Sequence, residues 1–399
     1  MEISDIEFLQ SPRGQELIAG HREMDPGEFA LRHAGADFPV AAVATQLKYR
    51  ARAQKKLPTW YAWGTIFPPR AFEQCSSEAA AALKPLGTGT RAVDLTAGLG
   101  VDAVALAAHY TEVIAVERDP ALVALGQWNL HRLGIPNVRY MTGTAEEFVR
   151  TYTGPRFDLV FCDPDRRDAE GQRRFALADC RPDIRELRAP LTAMAERVMV
   201  KLSPMLDLRE LERQLTPLDR LSVLAIDQEV KEILVEWGAG VPFRRSVAFV
   251  RRGRQHRFEA PESGAVPLLG DPEPGHFLYE SDVSLYKAGL VPDWWAQEFP
   301  HLPGAMNHPE AYRWSPERIA DFPGRTFRIR ESLPYQPKRV KKFLAVRGIR
   351  RANLSRRCFD VPLAQVRSRL GIKEGGSDYL IFTRRATGER IVFLADRLL

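Results

Sequence analysis

A chain of 399 residues exceeds the usual single domain, since a length divided by about 150 suggests two or three. Hydrophobic residues make up 45% and charged residues 27%, the balance of an ordinary globular protein, which excludes wholesale disorder. The formal charge of +6 conceals an asymmetry: residues 321–399 carry 19 Lys+Arg against 7 Asp+Glu, while residues 1–320 carry 38 against 44. A basic module on a mildly acidic body predicts a polyanion-binding appendage attached to a body with another task.

In chain order, residues 1–85 read as a helical domain. Apolar residues recur every three to four positions in DIEFLQSPRGQELIAG, PGEFALRH and VAAVATQLKYRARAQKKL, and Ser11 before Pro12 reads as an N-cap. After Gly87 and Gly89, short apolar runs alternate with helical stretches, the pattern of a parallel α/β sheet, here over 86–258. Strands are expected near 91–95, 112–117, 137–141, 157–162 and 196–202, followed by β-rich runs at 221–237 and 244–252. Pro and Gly concentrate in a linker, 259–276, and a helical segment follows in 277–320. The basic tail, 321–399, alternates short strands and helices and ends in a hairpin around Thr387 and Gly388.

No window approaches the about 18 consecutive apolar residues of a membrane helix, and MEISDIEF lacks the regions of a signal peptide, so a cytoplasmic protein without membrane attachment is expected. Cys75, Cys162, Cys180 and Cys358 form no CxxC pair and have no His at ligand spacing, so neither a disulfide framework nor a metal site is expected.

The sharpest local pattern is AVDLTAGLGVDAVALA. A strand ends at Asp94, a turn carries Gly98 and Gly100, and a helix begins near Val101, which lets backbone pass close to a ligand at a helix N-terminus. The loose GxGxxA spacing alone does not separate a dinucleotide from S-adenosylmethionine. Charge does: Asp94 and Asp102 face a pyrophosphate poorly but suit a ligand with an ammonium and a sulfonium. Glu117, 23 residues beyond Asp94, ends the next strand, where a carboxylate can accept both ribose hydroxyls. With Thr96 and Ala97 of the turn and Arg118 after Glu117, these residues make up the expected cofactor set. Thr144, at the third strand end, is either an adenine contact or neutral loop.

The fourth strand delivers Asp163, Pro164, Asp165, Arg166 and Arg167 to the same carboxyl edge, where chemistry would sit. A carboxylate there can accept from an exocyclic amine and aim its lone pair, or take the proton released on transfer. Arg166 and Arg167 suit a phosphate or the guanine O6/N7 edge. RVMVKLSP places Lys201 and Ser203 at the end of the fifth strand, a lysine being unusual on a buried strand.

With these pieces placed, DLTAGLGVDA, VERDP, DPDRR and VMVKLSP resemble class I S-adenosylmethionine-dependent methyltransferases, and within them bacterial small-subunit rRNA guanine-N2 methyltransferases. FEQCSSEAA (72–80) and the tail from KKFLAV onward resemble the group with a THUMP-like C-terminal domain. The resemblance implies a Rossmann-like seven-stranded α/β methyltransferase core, an N-terminal helical domain, a ferredoxin-like segment at 277–320 and a THUMP-like RNA-binding domain at 321–399. It further implies that Gln74, Ser76 and Ser77 help hold the methionine end of the cofactor, with helix capping an equal reading for the serines. Candidate phosphate contacts in the tail are Lys338, Arg339, Lys341, Lys342, Arg350, Arg351, Arg356 and Arg357.

Amine methyltransferases commonly continue the motif with a proline and a base-stacking aromatic, where this chain has Asp165 and Arg166. Stacking then falls to Arg166 or to Trp60, Tyr61, Trp63 or Phe67. The Asp-Pro-x-Arg order is similar to uridine-C5 methyltransferases, but those need a cysteine after the fifth strand, where this chain has Ser203. The expected activity is methylation of an exocyclic base amine, guanine N2 foremost, in tRNA or rRNA. The alternatives are a small-molecule or protein methyltransferase and a degenerate RNA-binding protein.

Overall fold

The computed structural model describes residues 2–165, 177, 180–261, 270–302, 306, 308 and 310–398. The chain divides into two compact units, Met1–Leu224 with Lys231–Phe243, and Ala225–Val230 with Arg244–Leu399.

The first unit opens with α1 (Ile3–Gln10), α2 (Pro12–Gly20), α3 (Pro26–Arg32), α4 (Val40–Lys56), α5 (Pro58–Ala62), α6 (Pro69–Gln74) and α7 (Glu78–Leu83). Proline occupies the first turn of α2, α3, α5 and α6, where no backbone donor is lost. The Ser11 hydroxyl accepts from the Gly14 N–H at 3.1 Å, the cap read from the sequence. Strands and helices then alternate: β1 (Gly89–Asp94), α8 (Val101–Ala107), β2 (Tyr110–Glu117), α9 (Pro120–Leu133), β3 (Val138–Thr142), α10 (Ala145–Thr151), β4 (Phe157–Cys162), α11 (Ile184–Met194), β5 (Ala195–Leu202), α12 (Leu208–Leu215), β6 (Arg220–Ile226) and β7 (Glu229–Trp237).

These strands lie in the order 3-2-1-4-5-7-6. The pairs β1–β2, β2–β3, β1–β4 and β4–β5 are parallel, and β7 runs antiparallel to β5. The order reverses between β1 and β4, which opens a crevice at the carboxyl ends of those strands. The run 221–237, expected as one β segment, is two strands. Asp227 and Gln228 turn the chain with φ of 48° and 68°, the paired left-handed geometry of a tight hairpin.

Residues 1–85 are not a separate domain. Ile6, Leu9, Ile18, Phe29, Val43 and Leu47 share one apolar cluster with Leu125 of α9. The Asn129 side chain accepts from the Ile66 N–H at 3.0 Å and donates to the Ile66 carbonyl at 3.1 Å. The helical leader therefore closes over one face of the sheet's own helices, and no boundary falls at residue 85.

The second unit contains β8 (Arg244–Arg251), β9 (Arg254–Ala260), β10 (Phe277–Glu280), α13 (Val283–Ala288), α14 (Val291–Glu298), β11 (Arg313–Ser315), β12 (Arg325–Pro334), α15 (Pro337–Val346), β13 (Asn353–Arg356), α16 (Leu363–Leu370), β14 (Asp378–Arg384) and β15 (Arg390–Leu398). Six of its strands form one sheet, 11-10-12-15-14-13, with β13 parallel to β14 and the other pairs antiparallel. Val340, Leu344, Val366 and Leu370 seat α15 and α16 on an apolar cluster with Leu380, Phe382, Val392 and Leu394. The hairpin read around Thr387 and Gly388 is present, with Arg384 opposite Arg390.

Two expected boundaries differ here. The segment 277–320 has no sheet of its own, because β10 pairs with β12 over Phe277–Glu280 and β11 extends the same sheet. The run 244–252, expected within the core, pairs as β8 with β9 and continues the order of the core sheet as 7-6-8-9, although it groups with the second unit by compactness, and residues 262–269 of the linker lie outside the described residues.

Buried Glu280 holds this unit's ions together, facing Arg325 at 2.7 Å and Arg357 at 3.0 Å. Glu280→Gln should lower unfolding free energy by about 3 kcal/mol, the low end for breaking a buried pair because both guanidiniums keep some solvent contact. In the first unit, a Cβ on Gly126 of α9 would stand 2.3 Å from the Tyr140 ring. Gly126→Ala should therefore cost about 1–3 kcal/mol through overpacking. Denaturant titration checks both, and unchanged midpoints would refute them.

Candidate active site

The crevice is lined by the ends of β1, β2, β4 and β5. Asp94 closes β1 with 1% of its surface exposed, and it accepts from the Thr96 N–H at 3.0 Å and the Thr96 hydroxyl at 3.4 Å. Gly98 and Gly100 then take φ of 53° and 94°, a left-handed path that carries the backbone into α8. The loop is pinned to β2: Ala97 N–H donates to the Val116 carbonyl and Gly98 N–H to Glu117, each at 2.9 Å. The other Glu117 oxygen accepts from the Asp119 N–H at 2.9 Å. Beneath the loop, the Tyr140 hydroxyl donates to the Gly98 carbonyl at 3.3 Å.

At the end of β4, the Asp163 N–H donates to the Thr96 hydroxyl at 2.6 Å, which joins the fourth-strand motif to the β1 turn. The Lys201 ammonium of β5 donates to Asp163 Oδ2. A second lysine lies deeper: Lys84, at the end of α7 and fully buried, pairs with Asp102 at 2.6 Å and with Glu232 of β7 at 3.0 Å. Ser76 accepts from Lys84 at 3.1 Å and donates to Asp102 at 2.9 Å.

Burial is the largest influence on Lys84, Lys201, Asp94 and Asp102, and charged neighbours reverse its direction for all but Asp94. For Lys201, burial works against the ammonium, but Asp163, Glu232 and Asp102 outweigh it and hold the pKa above the ordinary lysine range. Lys84 is likewise raised against its burial by Asp102 and Glu232. Asp102 is burdened by burial yet brought below its ordinary value by Lys84 and Lys201. Asp94 has no cation in contact among the described residues, and burial, with Asp102 adding its charge, pushes its carboxyl up to about 8.

The remaining expected residues scatter by role. Ser77 is the N-cap of α7, its hydroxyl accepting from the Ala80 N–H at 3.1 Å. Ser76 belongs to the ionic web, and Gln74 reaches Asp165 at 3.5 Å. Thr144 caps α10 in a reciprocal box with Glu147, both bonds at 3.1 Å. Asp165 bridges by backbone to Arg181 and carries Arg70 at 3.3 Å and Arg118 at 3.9 Å, partly exposed at the rim of the crevice. Arg166 and Arg167 lie outside the described residues. Ser203 is buried, its hydroxyl accepting from the Met205 N–H at 3.2 Å.

The stacking candidates fare poorly. Trp60 and Phe67 are packed in an apolar cluster with Tyr49 and Phe72, and the Tyr61 ring lies under Arg50. Trp63 is exposed, but its carbonyl accepts from Arg132 in the last turn of α9, at the amino edge of the sheet.

In the second unit, α15 exposes Lys338, Arg339, Lys341 and Lys342 and turns Val340 and Leu344 inward. Arg350 is exposed, while Arg351 donates to the Glu374 carbonyl and Arg356 to the Phe359 carbonyl. Arg357 is a correction: its guanidinium pairs with Glu280 and lies 3.2 Å from the Tyr286 ring centroid, so it serves the core and not a phosphate.

Sequence reasoning missed Lys84 and Glu232. Nothing in AALKPLG marks Lys84, whereas Glu232 and Glu236 are charges bracketing the apolar run ILV, a readable sign of buried partners.

Residues 324–397 match the family described as THUMP domain-like. Over its whole length the chain is similar to a solved structure from Porphyromonas gingivalis W83 described as a candidate methyltransferase, at 27% identity and a TM-score of 0.78, covering 100% of this chain and 98% of that one. It is also 28% identical over 145 residues to tRNA/tmRNA (uracil-C(5))-methyltransferase of Neisseria meningitidis, covering 30% of this chain and 40% of the relative. A third similarity, 30% identity over 132 residues, is to Ribosomal RNA small subunit methyltransferase J of Pseudomonas aeruginosa, with 29% and 51% covered. The chain thus carries a THUMP-like match in its last quarter and shares, over its whole length, the fold of a solved structure described as a methyltransferase. It spans about half or less of the length of these two curated relatives.

The crevice fits S-adenosylmethionine, the cofactor expected from the sequence. Asp102 and Glu232 share Lys84, and Asp163 pairs with Lys201, while Asp94 and Glu117 have no ion pair among the described residues, so a ligand carrying an ammonium and a sulfonium suits Glu117 and an ionised Asp94. Glu117 retains lone pairs for ribose hydroxyls beyond its two backbone donors. Among the described residues no helix is long and apolar enough to cross a membrane, and no group of three or more His, Cys, Asp or Glu is placed to hold a metal ion.

Because burial pushes the Asp94 carboxyl up to about 8, a cation binding beside it must first displace its proton. Cofactor affinity should rise with pH by up to about tenfold per unit below that point and level off above it. Calorimetric titration across this range checks the slope. Asp94→Asn should bind more weakly with a flat profile, and a wild-type affinity independent of pH would refute the assignment.

Proposed function

We propose that the protein transfers a methyl group from S-adenosylmethionine to an exocyclic base amine, guanine N2 foremost, in structured RNA such as tRNA or rRNA. The observation that carries this reading is Asp163 and Pro164 at the end of β4, in the crevice where the β1 turn and β2 tip gather the cofactor set. The cofactor supplies an electrophilic methyl on a sulfonium. Asp163 offers one oxygen to Lys201, and its other oxygen accepts from the amine, which orients the nitrogen lone pair toward the methyl group. The alkylated nitrogen is strongly acidic, so a carboxylate with part of its surface in solvent suffices to pass its proton outward.

Cysteine chemistry at a pyrimidine C5 is less well supported. It needs a thiolate, and burial pushes the Cys75 thiol up to about 11 and raises Cys162 as well. RNA as the acceptor is supported by the THUMP-like match and by the exposed cations of α15.

Asp163→Ala should lower turnover about a hundredfold or more while leaving cofactor affinity within about twofold, and Asp163→Asn, which keeps an acceptor oxygen, should lose less. Labelled methyl transfer to bulk tRNA and rRNA from cells lacking the gene, read by nucleoside mass spectrometry, checks both the acceptor atom and the variants. Turnover of Asp163→Ala equal to wild type would remove Asp163 from the mechanism. Reversing Lys338, Arg339, Lys341 and Lys342 to Glu should weaken RNA binding and reduce its salt slope by about 3, without changing cofactor affinity. An unchanged slope would remove α15 from the interface.

A further inference from the structure

The rim around Asp165 carries a charge arrangement that the cofactor does not explain. Arg70 comes from α6 and Arg118 from the turn after β2, yet both guanidiniums converge on the one carboxylate of Asp165, at 3.3 and 3.9 Å. Both arginine side chains remain mostly exposed, at 65% and 63%. One carboxylate cannot neutralise two guanidiniums. Each exposed guanidinium therefore keeps N–H donors in a planar fork, and among the described residues the pair outnumbers the carboxylate it converges on. A cofactor with a sulfonium and an ammonium gains nothing from such a rim, so the ligand these arginines suit is an anion that enters with the acceptor.

Further cations lie on α4 within this unit. Arg52 of α4 pairs with Glu73 of α6, and Lys56 donates to the Phe72 carbonyl, so the end of α4 lies against the helix that carries Arg70. Lys48 and Lys55 of α4 are exposed. Two planar forks beside a helix with exposed lysines suit the repeating charge of a phosphodiester chain better than a single small anion.

We propose that Arg70 and Arg118 form a clamp for a backbone phosphate of the RNA next to the target nucleotide, with Asp165 holding the two forks apart until the phosphate arrives. The proposal rests on the reading of the site as an RNA methyltransferase and adds a second contact surface, in the first unit, to the one on α15. Arg118, placed by the sequence with the cofactor, belongs on this view to the acceptor.

The test uses the full chain and bulk tRNA and rRNA fractions. Arg70→Ala/Arg118→Ala should raise the RNA KM at least about tenfold and reduce the log–log salt slope of RNA binding by about 1.5, while cofactor affinity stays within about twofold. Arg70→Lys/Arg118→Lys should restore the slope but only part of the KM, because lysine keeps the charge and loses the fork. A double alanine variant that keeps the wild-type KM and slope while wild type methylates RNA overturns the clamp alone. Loss of cofactor affinity in proportion to the loss of transfer overturns it in favour of a cofactor role. A wild-type protein that neither labels nor binds RNA, but methylates a protein or small molecule, overturns the RNA reading and the clamp with it.

Discussion

The cofactor edge of the first unit depends on two buried ammonium groups placed among carboxylates. Lys84 and Lys201 are supplied by α7 and β5, and their partners by α8, β4 and β7, so five elements meet through charge at one edge of the sheet. Removing any member leaves an opposite charge in low dielectric, which is more costly than losing the same pair at the surface. The web therefore fixes where β7 sits against β5 and where α8 starts, and it leaves the edge short of positive charge until a ligand arrives.

Most of the architecture could be read because it follows from periodicity and punctuation. The five parallel strands fall within two residues of their expected positions, since each is a short apolar run closed by Gly, Pro or an acid. Asp94, Gly98, Gly100 and Glu117 were legible for a related reason, because a strand end followed by a glycine turn is a local pattern. What stayed hidden was long-range. Lys84 and Glu232 stand 148 positions apart in the chain and meet only when β7 inserts beside β5. Arg357 reads as one more surface cation in SRRC until β10 brings Glu280 against it. Trp60 and Phe67 illustrate the converse, since an aromatic near a motif in the chain is as easily core as ligand wall.

Charge is divided between the two units by task. In the first, acids and lysines are buried at the sheet edge and arginines stand at the rim. In the second, the cations of α15 face outward while Arg325 and Arg357 are turned in on Glu280. Net charge alone merges these populations, and only burial separates arginines that hold a domain together from those free to meet a polyanion.

The seam between the helical leader and α9 has a practical consequence for handling the protein. Leu125 and Asn129 present an apolar and hydrogen-bonding surface that the leader covers, so a chain cut at the glycines before β1 would expose both the patch and an unsatisfied amide. Such a fragment would retain the glycine turn and the strand-end acids, lose Ser76 and Lys84 from beside Asp102, and self-associate. A minimal catalytic piece of this protein has to keep its first helices, however peripheral they look in a linear map.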